Sequence, residues 1–547
     1  MPERSLEGIQ ITETPGAEQP IARASAHRTA FVGRTLRGPV NQAVLVQSFA
    51  DFQQEFGGLW QPSPLSYAVE HFFEQGGRQA IIVRVANGAA PVTLSLRCGR
   101  QTLQLEARAP GTREFLRASI DYDHVDAEDE QRFNLVVQRV RSPGSERIES
   151  QEIFRGLSID PSSPRFVAMA LIESNLVRVR GAVPSVRPDR TLMPGTNLPV
   201  GYVNSNPDGD DGRPISDYDV IGSATRRSGL FALEDVDELA FLYIPPLTRT
   251  TDIGVSTVLV AAKFCRQRRA MLIVDPPAAW DSAAEAVRGL KRLNFHSDHA
   301  LMFFPRLVTT DRLRGRAEMF GNGGAVAGIL SRTGEAVSAA IAARDPEPLL
   351  RAGARLAREV APADRWSLAA HGVNVLHAVR SVDRERPPLR TLACGASASV
   401  DWSYLSQRRF ALFVINSIER GTRWCVLRPG DPLVWERVTA QVRRFLAELH
   451  SAGAFASVPA DQAFYVICDE RINEASEPHI VNILVQFAAT HAGEYHSFMI
   501  SHSVSGATVR PVAVNRLEAS LIVVPELEQE ITIRIDPRDG SLLAENY

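Results

Sequence analysis

Residues 401–470, DWSYLSQRRFALFVINSIERGTRWCVLRPGDPLVWERVTAQVRRFLAELHSAGAFASVPADQAFYVICDE, alternate helix and strand patterns. Their pattern predicts a helix capped by Asp401, a short strand over Thr422–Leu427, a second helix that begins at Asp431 or Pro432, and a strand over Ala463–Cys468. The second helix carries an apolar stripe at helical spacing, made of Val434, Val438, Val442, Phe445 and Leu449. Two helices and two strands predict a compact α/β unit.

Two further regions upstream also predict α/β structure. Residues 29–85 begin and end with buried strands, Thr29–Gly33 and Ala80–Val85, which enclose two amphipathic helices. In residues 206–330, strands and helices alternate at a spacing that implies crossover connections and a parallel sheet. The predicted elements there are strands Phe241–Pro245, Ala270–Asp275 and Ala300–Phe304 and helices Ser256–Arg266 and Ala283–Leu293.

Between and after these regions the pattern changes. Residues 92–150 alternate short strands with charged turns, which predicts an antiparallel β insertion. Residues 335–400 predict helices over Glu335–Ala343 and Leu349–Val360. The last segment, 515–547, contains a strand pattern at Ile531–Ile535 that predicts either a terminal hairpin or a strand donated to a neighbour.

Composition restricts the class of protein. The chain has 547 residues, 44% of them hydrophobic, and a formal net charge of -3. This balance favours neither nucleic acid nor membrane insertion, and no apolar run suggests a signal peptide or a membrane span. The five cysteines never form a CxxC pair, which predicts buried free thiols.

The sequence offers little enzymatic chemistry. Motifs for a P-loop, a zinc protease or a nucleophile elbow are absent, and no histidine pair has the partners of a metal site. Gly321–Gly328, GNGGAVAG, has the GxG spacing that can hold a phosphate, but the arginine-rich residues 311–316 stand where a Rossmann strand would precede it. A packing role is therefore the main interpretation, and a nucleotide-binding α/β enzyme is kept as an alternative.

Several motifs together resemble the contractile tail sheath family of phage tails and related injection machines. They include "WSYLSQRR", "SIERGTRW", "FLAELHSAGAF" and "AFYVICDE" in the C-terminal third, "AFVGRTLRGPVNQAVLVQSFADFQQEFGG" and "PLSYAVEHFFEQGGRQAIIVRV" near the N-terminus, and "GLFALEDVDELAFLYIPP", "RRAMLIVDPP" and "GGAVAGILSRTG" in the middle. The resemblance covers residues 8–90, 152–334 and 371–503, and the motifs fall in the family's order.

The resemblance implies a multidomain fold of α/β and α+β class. Its C-terminal sheath-type α/β domain is expected to be completed by strands of neighbouring subunits. The expected division is a donor-strand arm at 1–20, the N-terminal part of the core at 21–91, a β-rich outer insertion at 92–151, an α/β middle domain at 152–334, a helical connector at 335–400, the C-terminal sheath domain at 401–514 and a strand extension at 515–547.

The function that the resemblance implies is structural and not enzymatic, with no cofactor. Such subunits polymerise as stacked hexameric rings around an inner tube and contract to drive the tube through a target envelope. The implied partners are other copies or paralogues of the sheath protein, the inner tube protein, and baseplate and terminal cap proteins. The implied location is the cytoplasm during assembly and then a phage tail or tail-like particle. A non-contracting cap or baseplate-proximal paralogue is the alternative within the family.

Position in the chain suggests which residues would carry assembly. Candidates for strand donation are Ile9, Ile11 and Thr12 in the N-terminal arm, and Phe498, Met499 and Ile500 or Ile531, Ile533 and Ile535 near the C-terminus. Arg437, Arg443 and Arg444 fall outside the apolar stripe of their helix and are candidates for a surface that faces the tube.

Overall fold

The computed structural model of the chain describes residues 20–25, 27–126, 128–198, 201–334, 347–351, 354–378, 386–394, 400–455, 458–473, 479–488, 495–515, 522–525, 531–535 and 542–546. These residues fall into two compact units. The larger unit takes its described residues from Ser25–Glu335 and Pro346–Leu405, and the smaller unit takes them from residues 20–24 and Ser406–Tyr547.

The larger unit contains most of the strands and helices. Its strands are β1 Thr29–Gly33, β2 Ala43–Val46, β3 Ala80–Arg84, β4 Thr93–Cys98, β5 Gln101–Ala107, β6 Leu116–Asp121, β7 Arg132–Val140, β8 Ile148–Ser158, β9 Val177–Val179, β10 Val203–Asn204, β11 Phe241–Tyr243, β12 Met271–Val274, β13 Ala300–Phe304, β14 Leu307–Asp311, β15 Arg316–Phe320, β16 Arg355–Leu356 and β17 Val373–Val375. Its helices are α1 Phe49–Phe56, α2 Pro64–Glu74, α3 Val167–Ala170, α4 Asp217–Ile221, α5 Val255–Arg268, α6 Ala283–Leu293, α7 Gly323–Gly334 and α8 Pro362–Ala370.

A seven-stranded sheet forms the centre of this unit, in the order β17-β13-β12-β11-β1-β3-β2. All its pairings are parallel except that of β2 with β3. The core packs on strands that are buried on both faces, as the continuous apolar runs predict. β1 pairs with β3 on one side and with β11 on the other, so the predicted separate segments 21–91 and 152–334 share one sheet.

The helices of this unit begin and end at the signals in the sequence. Ser48 caps α1 by accepting a hydrogen bond from the Asp51 amide at 3.1 Å, and Gly57 ends the helix at a φ of 87°. Helix α6 has the predicted bounds, Ala283–Leu293, and α5 extends the predicted helix by one residue at its start and two at its end.

The β insertion is longer than predicted. It contains the antiparallel sheet β10-β6-β7-β8 and the sheet β4-β5-β9, which enclose a core of their own. The expected boundary at residue 151 falls inside β8, because β8 pairs with β7 along most of its length. Residues 152–182, expected to begin the middle domain, therefore belong to the insertion, where β9 pairs with β5.

The predicted helical connector is also revised. Glu335–Ala343 lies outside the described residues. In place of the helix predicted over Leu349–Val360, the described residues contain the short strand β16, which pairs with β14. Helix α8 begins only at Pro362, and β17 completes an edge of the main sheet beside β13. These long-range pairings override the local helical pattern.

The smaller unit combines helices with an antiparallel sheet. Its helices are α9 Leu405–Gly421, α10 Pro432–Ser451 and α11 Ala460–Ala463, and its strands are β18 Phe464–Ile467, β19 Val481–Phe487, β20 His496–Ser503, β21 Gly506–Asn515, β22 Ile522–Pro525, β23 Ile531–Ile535 and β24 Leu542–Asn546. The first five strands form one sheet in chain order, and β23 pairs with β24 as a hairpin. Helix α9 starts one residue before the unit boundary.

One predicted strand in this unit is wrong. Thr422–Leu427 contains a turn of 3-10 helix at Arg423–Leu427. Its amides find partners nearby, because Thr422 donates to the Ile418 carbonyl and Cys425 donates to the Thr422 carbonyl, each at 3.0 Å. The segment therefore continues from α9 as a turn and joins no sheet.

Candidate subunit-assembly site

The smaller unit presents a sheet covered on one face by two helices. The predicted stripe of α10 is buried along its whole length, and each such side chain contributes roughly 1.5–3 kcal/mol on burial. From α9, the ring of Phe410 lies 5.7 Å from that of Phe487 on β19, and Phe413 lies 6.4 Å from Phe445. This packing holds the sheet in place against the two helices. Another strand can therefore add only at one of the two edges of the sheet, where backbone groups have no strand beside them.

Strand β18 forms one of these edges. Its inner side pairs with β19, and the Ala488 amide donates to the Ala463 carbonyl at 2.8 Å, which continues this ladder. In an antiparallel pair, backbone groups alternate between the two sides of a strand, so those of Phe464 and Val466 point outward. The Phe464 amide already donates to the Ala460 carbonyl on this side. Within the described part of the chain, no strand lies beside this outer side.

The side chain of Asn473 extends the edge beyond the end of β18. Its amide nitrogen donates to the Asn482 carbonyl at 3.1 Å, and its oxygen accepts from the Asn482 amide at 2.6 Å. Asn473 thus takes the place of a strand residue opposite β19. The sequence pattern did not indicate this role, because the contact depends on a loop that returns Asn473 to the sheet.

The N-terminal segment enters this same unit. Ile21 is buried beside Gly421 at the end of α9, where an added Cβ would lie 2.8 Å from the Ile21 Cγ1 atom. The Ala24 amide donates to the Ser417 hydroxyl at 3.0 Å. Residues 20–24 are therefore held on α9.

Solved structures share the fold of this chain over most of its length. A sheath tail protein from Listeria innocua matches with a TM-score of 0.59 and 12% identity over 88% of this chain and 96% of that chain. The chain has the tail sheath fold. A sheath tail protein from Desulfitobacterium hafniense matches with a TM-score of 0.50 and 12% identity, over 91% of this chain and all of that one. The sheath complex of an extracellular contractile injection system, PVC, in its contracted state, matches with a TM-score of 0.50 and 13% identity, over 90% and 96% of the two chains.

The similarity is one of tertiary structure. No protein-family model matches the chain, and no curated protein is significantly similar to it in sequence. The tail sheath fold, a mixed α/β architecture with several sheets, is therefore what the comparisons show.

The structure separates the candidates for strand donation. Ile9, Ile11 and Thr12 lie outside the described residues. Phe498, Met499 and Ile500 lie in β20, whose two edges pair with β19 and β21 of the same chain. In this conformation both edges of β20 are paired within the chain. Ile531, Ile533 and Ile535 lie in β23, which pairs with β24 as the terminal hairpin.

The three candidate arginines on α10 have different surroundings. The Arg443 guanidinium reaches the edge strand, at 3.5 Å from the Val466 carbonyl oxygen. The Arg437 guanidinium lies 5.2 Å from the centre of the Trp424 ring, and Arg444 pairs with Glu448 at 3.5 Å on the exposed surface. Arg437 and Arg444 are seven residues apart and share a helix face, whereas Arg443 is turned toward the sheet edge.

The Gly321–Gly328 segment serves packing. The amide of Gly323, at the start of α7, donates to the Asp275 carboxylate at 2.8 Å, so this chain itself fills the position that a phosphate would occupy. The Tyr243 hydroxyl donates to the same carboxylate at 2.6 Å. Burial raises the pKa of Asp275, and nearby Arg306 counteracts part of that effect. The Asp275 carboxylate therefore already caps the N-terminus of α7.

Other chemistry is sparse among the residues that the structure describes. No group of three or more potential metal ligands occurs there. None of the helices in that part of the chain has the length and apolar character needed to cross a bilayer.

Proposed function

We propose that this chain is a structural subunit of a contractile sheath and not an enzyme. The observation that supports the proposal most is the tail sheath fold, which extends over 88–91% of the chain in the three comparisons. One of those structures is the sheath of a contractile injection system in its contracted state. The subunits would stack as hexameric rings around an inner tube, with a baseplate and a terminal cap at the two ends.

The N-terminal arm supplies the link between subunits in this proposal. A strand that contains Ile9, Ile11 and Thr12 would add to the outer side of β18 in a neighbouring copy. The 19 residues that precede Pro20 span at most about 60–70 Å when extended, which is enough to reach another subunit. The terminal hairpin that contains Ile531, Ile533 and Ile535 would join a second neighbour.

Contraction follows from the nature of such a link. Backbone hydrogen bonds of an added strand depend little on side chains, so they persist while the subunits rotate and exchange their other contacts. The sheath would assemble in the cytoplasm in an extended, metastable state and would then become part of a phage tail or tail-like particle. Triggering at the baseplate would release the stored free energy and drive the tube outward.

The exposed face of α10 is proposed to meet the inner tube. Arg437 and Arg444 share that face, where the Arg437 guanidinium lies over the Trp424 ring and Arg444 is paired with Glu448. Arg443 would join this surface after releasing the Val466 carbonyl, which lies on the outer side of β18 where the donated strand would add. Charge complementarity would then steer tube and sheath together and set their register.

Deletion of residues 1–14 tests the link between subunits. The shortened chain is expected to fold but not to form sheath, because the donated strand is missing. Negative-stain electron microscopy and sedimentation measure assembly, and circular dichroism measures folding.

The matched control for this deletion is removal of residues 1–6, which ends before the alternating stretch Gly8–Thr14. This variant should assemble like the full chain. Normal sheath from the longer deletion would refute strand donation by the arm. Absence of any tubular polymer from the full chain, with or without tube protein, would refute the sheath function itself.

A further inference from the structure

Two side chains of α10 lie against the outer side of β18. The Arg443 guanidinium donates to the Val466 carbonyl at 3.5 Å, and the Thr439 hydroxyl donates to the Cys468 carbonyl at 3.4 Å. Arg443 and Thr439 are four residues apart, about 6 Å along the helix axis. The two carbonyls are two residues apart, about 6.6 Å along an extended chain. The two donors therefore match the two acceptors in spacing.

A third outward group of this edge has a partner in the turn before β18, where the Phe464 amide donates to the Ala460 carbonyl. A donated strand needs these same backbone groups. Its amides must donate to the outward carbonyls, and its carbonyls must accept from the outward amides. Arg443, Thr439 and Ala460 thus occupy hydrogen-bonding positions that a donated strand would take.

The two hydrogen bonds from α10 are weak enough to be exchanged. Both are longer than is usual in proteins, where N–H···O distances are about 2.7–3.2 Å. Arg443 is an exposed residue, so its guanidinium returns to water when it leaves the edge. A donated strand replaces these contacts with a regular ladder of backbone hydrogen bonds. The α10 side chains therefore slow the addition of a strand but do not prevent it.

We propose that Arg443 and Thr439 cap the edge of β18 in the unassembled subunit and delay its pairing with the N-terminal arm of another copy. This inference rests on the proposed sheath function and specifies how strand donation is regulated. Charged side chains are a common protection of open sheet edges. Residues 5–22 of the arm contain no basic residue and three acidic ones, Glu7, Glu13 and Glu18. An approaching arm therefore attracts the Arg443 guanidinium and helps to remove it from the edge.

Light scattering and sedimentation of the full-length protein, without tube protein and over a range of concentrations, test this proposal. Arg443→Met removes the guanidinium and keeps an apolar stem, and Thr439→Val removes only the hydroxyl. Each variant should lower the protein concentration at half-assembly by about threefold, the effect of losing one net hydrogen bond that opposes assembly. The matched control is Arg428→Met, which removes the same charge at an exposed position of the same unit and should assemble like the wild type.

Deletion of residues 1–14 from the Arg443→Met variant identifies what pairs with the uncapped edge. The gain in assembly should disappear with the arm, and a gain that persists would overturn the proposal. Thr439→Val, which keeps the side-chain shape, decides the outcome if circular dichroism shows that Arg443→Met does not fold.

Two further outcomes separate the cap from the sheath function. If the wild type forms sheath, with or without tube protein, and the edge variants assemble no more readily than Arg428→Met, the cap is refuted and the sheath function stands. If neither the wild type nor any variant forms a polymer under either condition, the sheath function fails and the cap fails with it.

Discussion

Gly324 and Gly328 lie one helical turn apart on α7, on the side that packs against α2. A Cβ added to Gly324 would lie 2.8 Å from the Ala68 Cα atom and would also meet the Ala68 carbonyl oxygen. A Cβ added to Gly328 would lie 2.9 Å from the Gln75 Cβ atom and would also meet the Phe72 carbonyl oxygen. The glycines therefore permit close contact between the two helix backbones.

We expect Gly324→Ala to lower the free energy of unfolding by about 1–3 kcal/mol, the usual range for overpacking. The backbone of α2 is held in the core and has little freedom to move away. Denaturant unfolding followed by circular dichroism measures the effect. Gly430→Ala is the control, because an added Cβ meets no atom within 4 Å there. Equal stability of the two variants would contradict the packing role.

Glu70 and His71 are adjacent buried residues with opposite pKa shifts. Burial raises the pKa of Glu70 from 4.5 to about 7, although Arg312 at 3.0 Å partly opposes the shift. Burial, with smaller contributions from Arg249 and Arg312, lowers the pKa of His71 from 6.5 to about 4. Between pH 4.5 and about 7, Glu70 is protonated in the folded state and ionised in the unfolded state. Between about pH 4 and 6.5, His71 is neutral in the folded state and protonated in the unfolded state.

We therefore expect the two residues to oppose each other in the dependence of stability on pH. Relative to the wild type, Glu70→Gln removes a contribution that falls with pH, so its relative stability should rise as pH increases from 4.5 to about 7. Relative to the wild type, His71→Gln removes a contribution that rises with pH, so its relative stability should fall as pH increases from about 4 to 6.5. Urea unfolding at a series of pH values measures both slopes, and slopes of the same sign would contradict the assignment.

At the scale of elements, the attachment of residues 20–24 to α9 depends on Gly421. We expect Gly421→Ala to displace Ile21 and to release this segment while the unit stays folded. A buried isoleucine contributes roughly 1.5–3 kcal/mol, so trypsin cleavage after Arg23 should become at least tenfold faster. Gly430→Ala, in the same unit, should leave the cleavage rate at that of the wild type. An unchanged rate in Gly421→Ala would show that the segment is held elsewhere.

Elements that depend on local signals could be predicted from the sequence. Helix α10 begins at Pro432, as predicted, and Asp431 caps it by accepting from the Leu433 amide at 2.9 Å. The segment Thr422–Leu427 could not be predicted, because its apolar composition suits a strand while its hydrogen bonds are local. For the assembly site, the existence of β18 was predictable, but its place at the edge depends on the strand order of the whole sheet.

At the scale of the whole molecule, the main difference from the sequence prediction is how segments combine. The central sheet contains strands from residues 29–84, 241–304 and 373–375. Three of the expected domains therefore contribute strands to a single sheet. Motif order indicated the fold family but not which segments share a sheet. The spacing of strands and helices predicted a parallel sheet, but the order in which strands from distant segments pair has no local signal in the sequence.

The cysteines give a prediction for the complete chain. Cys98, Cys265, Cys425 and Cys468 are buried free thiols and Cys394 is partly buried, and burial raises the pKa of each. We expect a thiol reagent at neutral pH to label at most one cysteine per native chain and all five after denaturation. A reducing agent should leave the melting temperature unchanged. Rapid labelling of more than one native thiol would contradict this arrangement.

The attachment of Ile21 and Ala24 to α9 determines which part of the molecule first bears a force applied to the N-terminus. Tension along an extended arm would reach the apolar contact at Gly421 and the hydrogen bond at Ser417 before any strand of the central sheet. Because the larger unit begins at Ser25, it follows this anchor along the chain. Mechanical load would therefore pass through the smaller unit, and the seven-stranded sheet would not have to bear it.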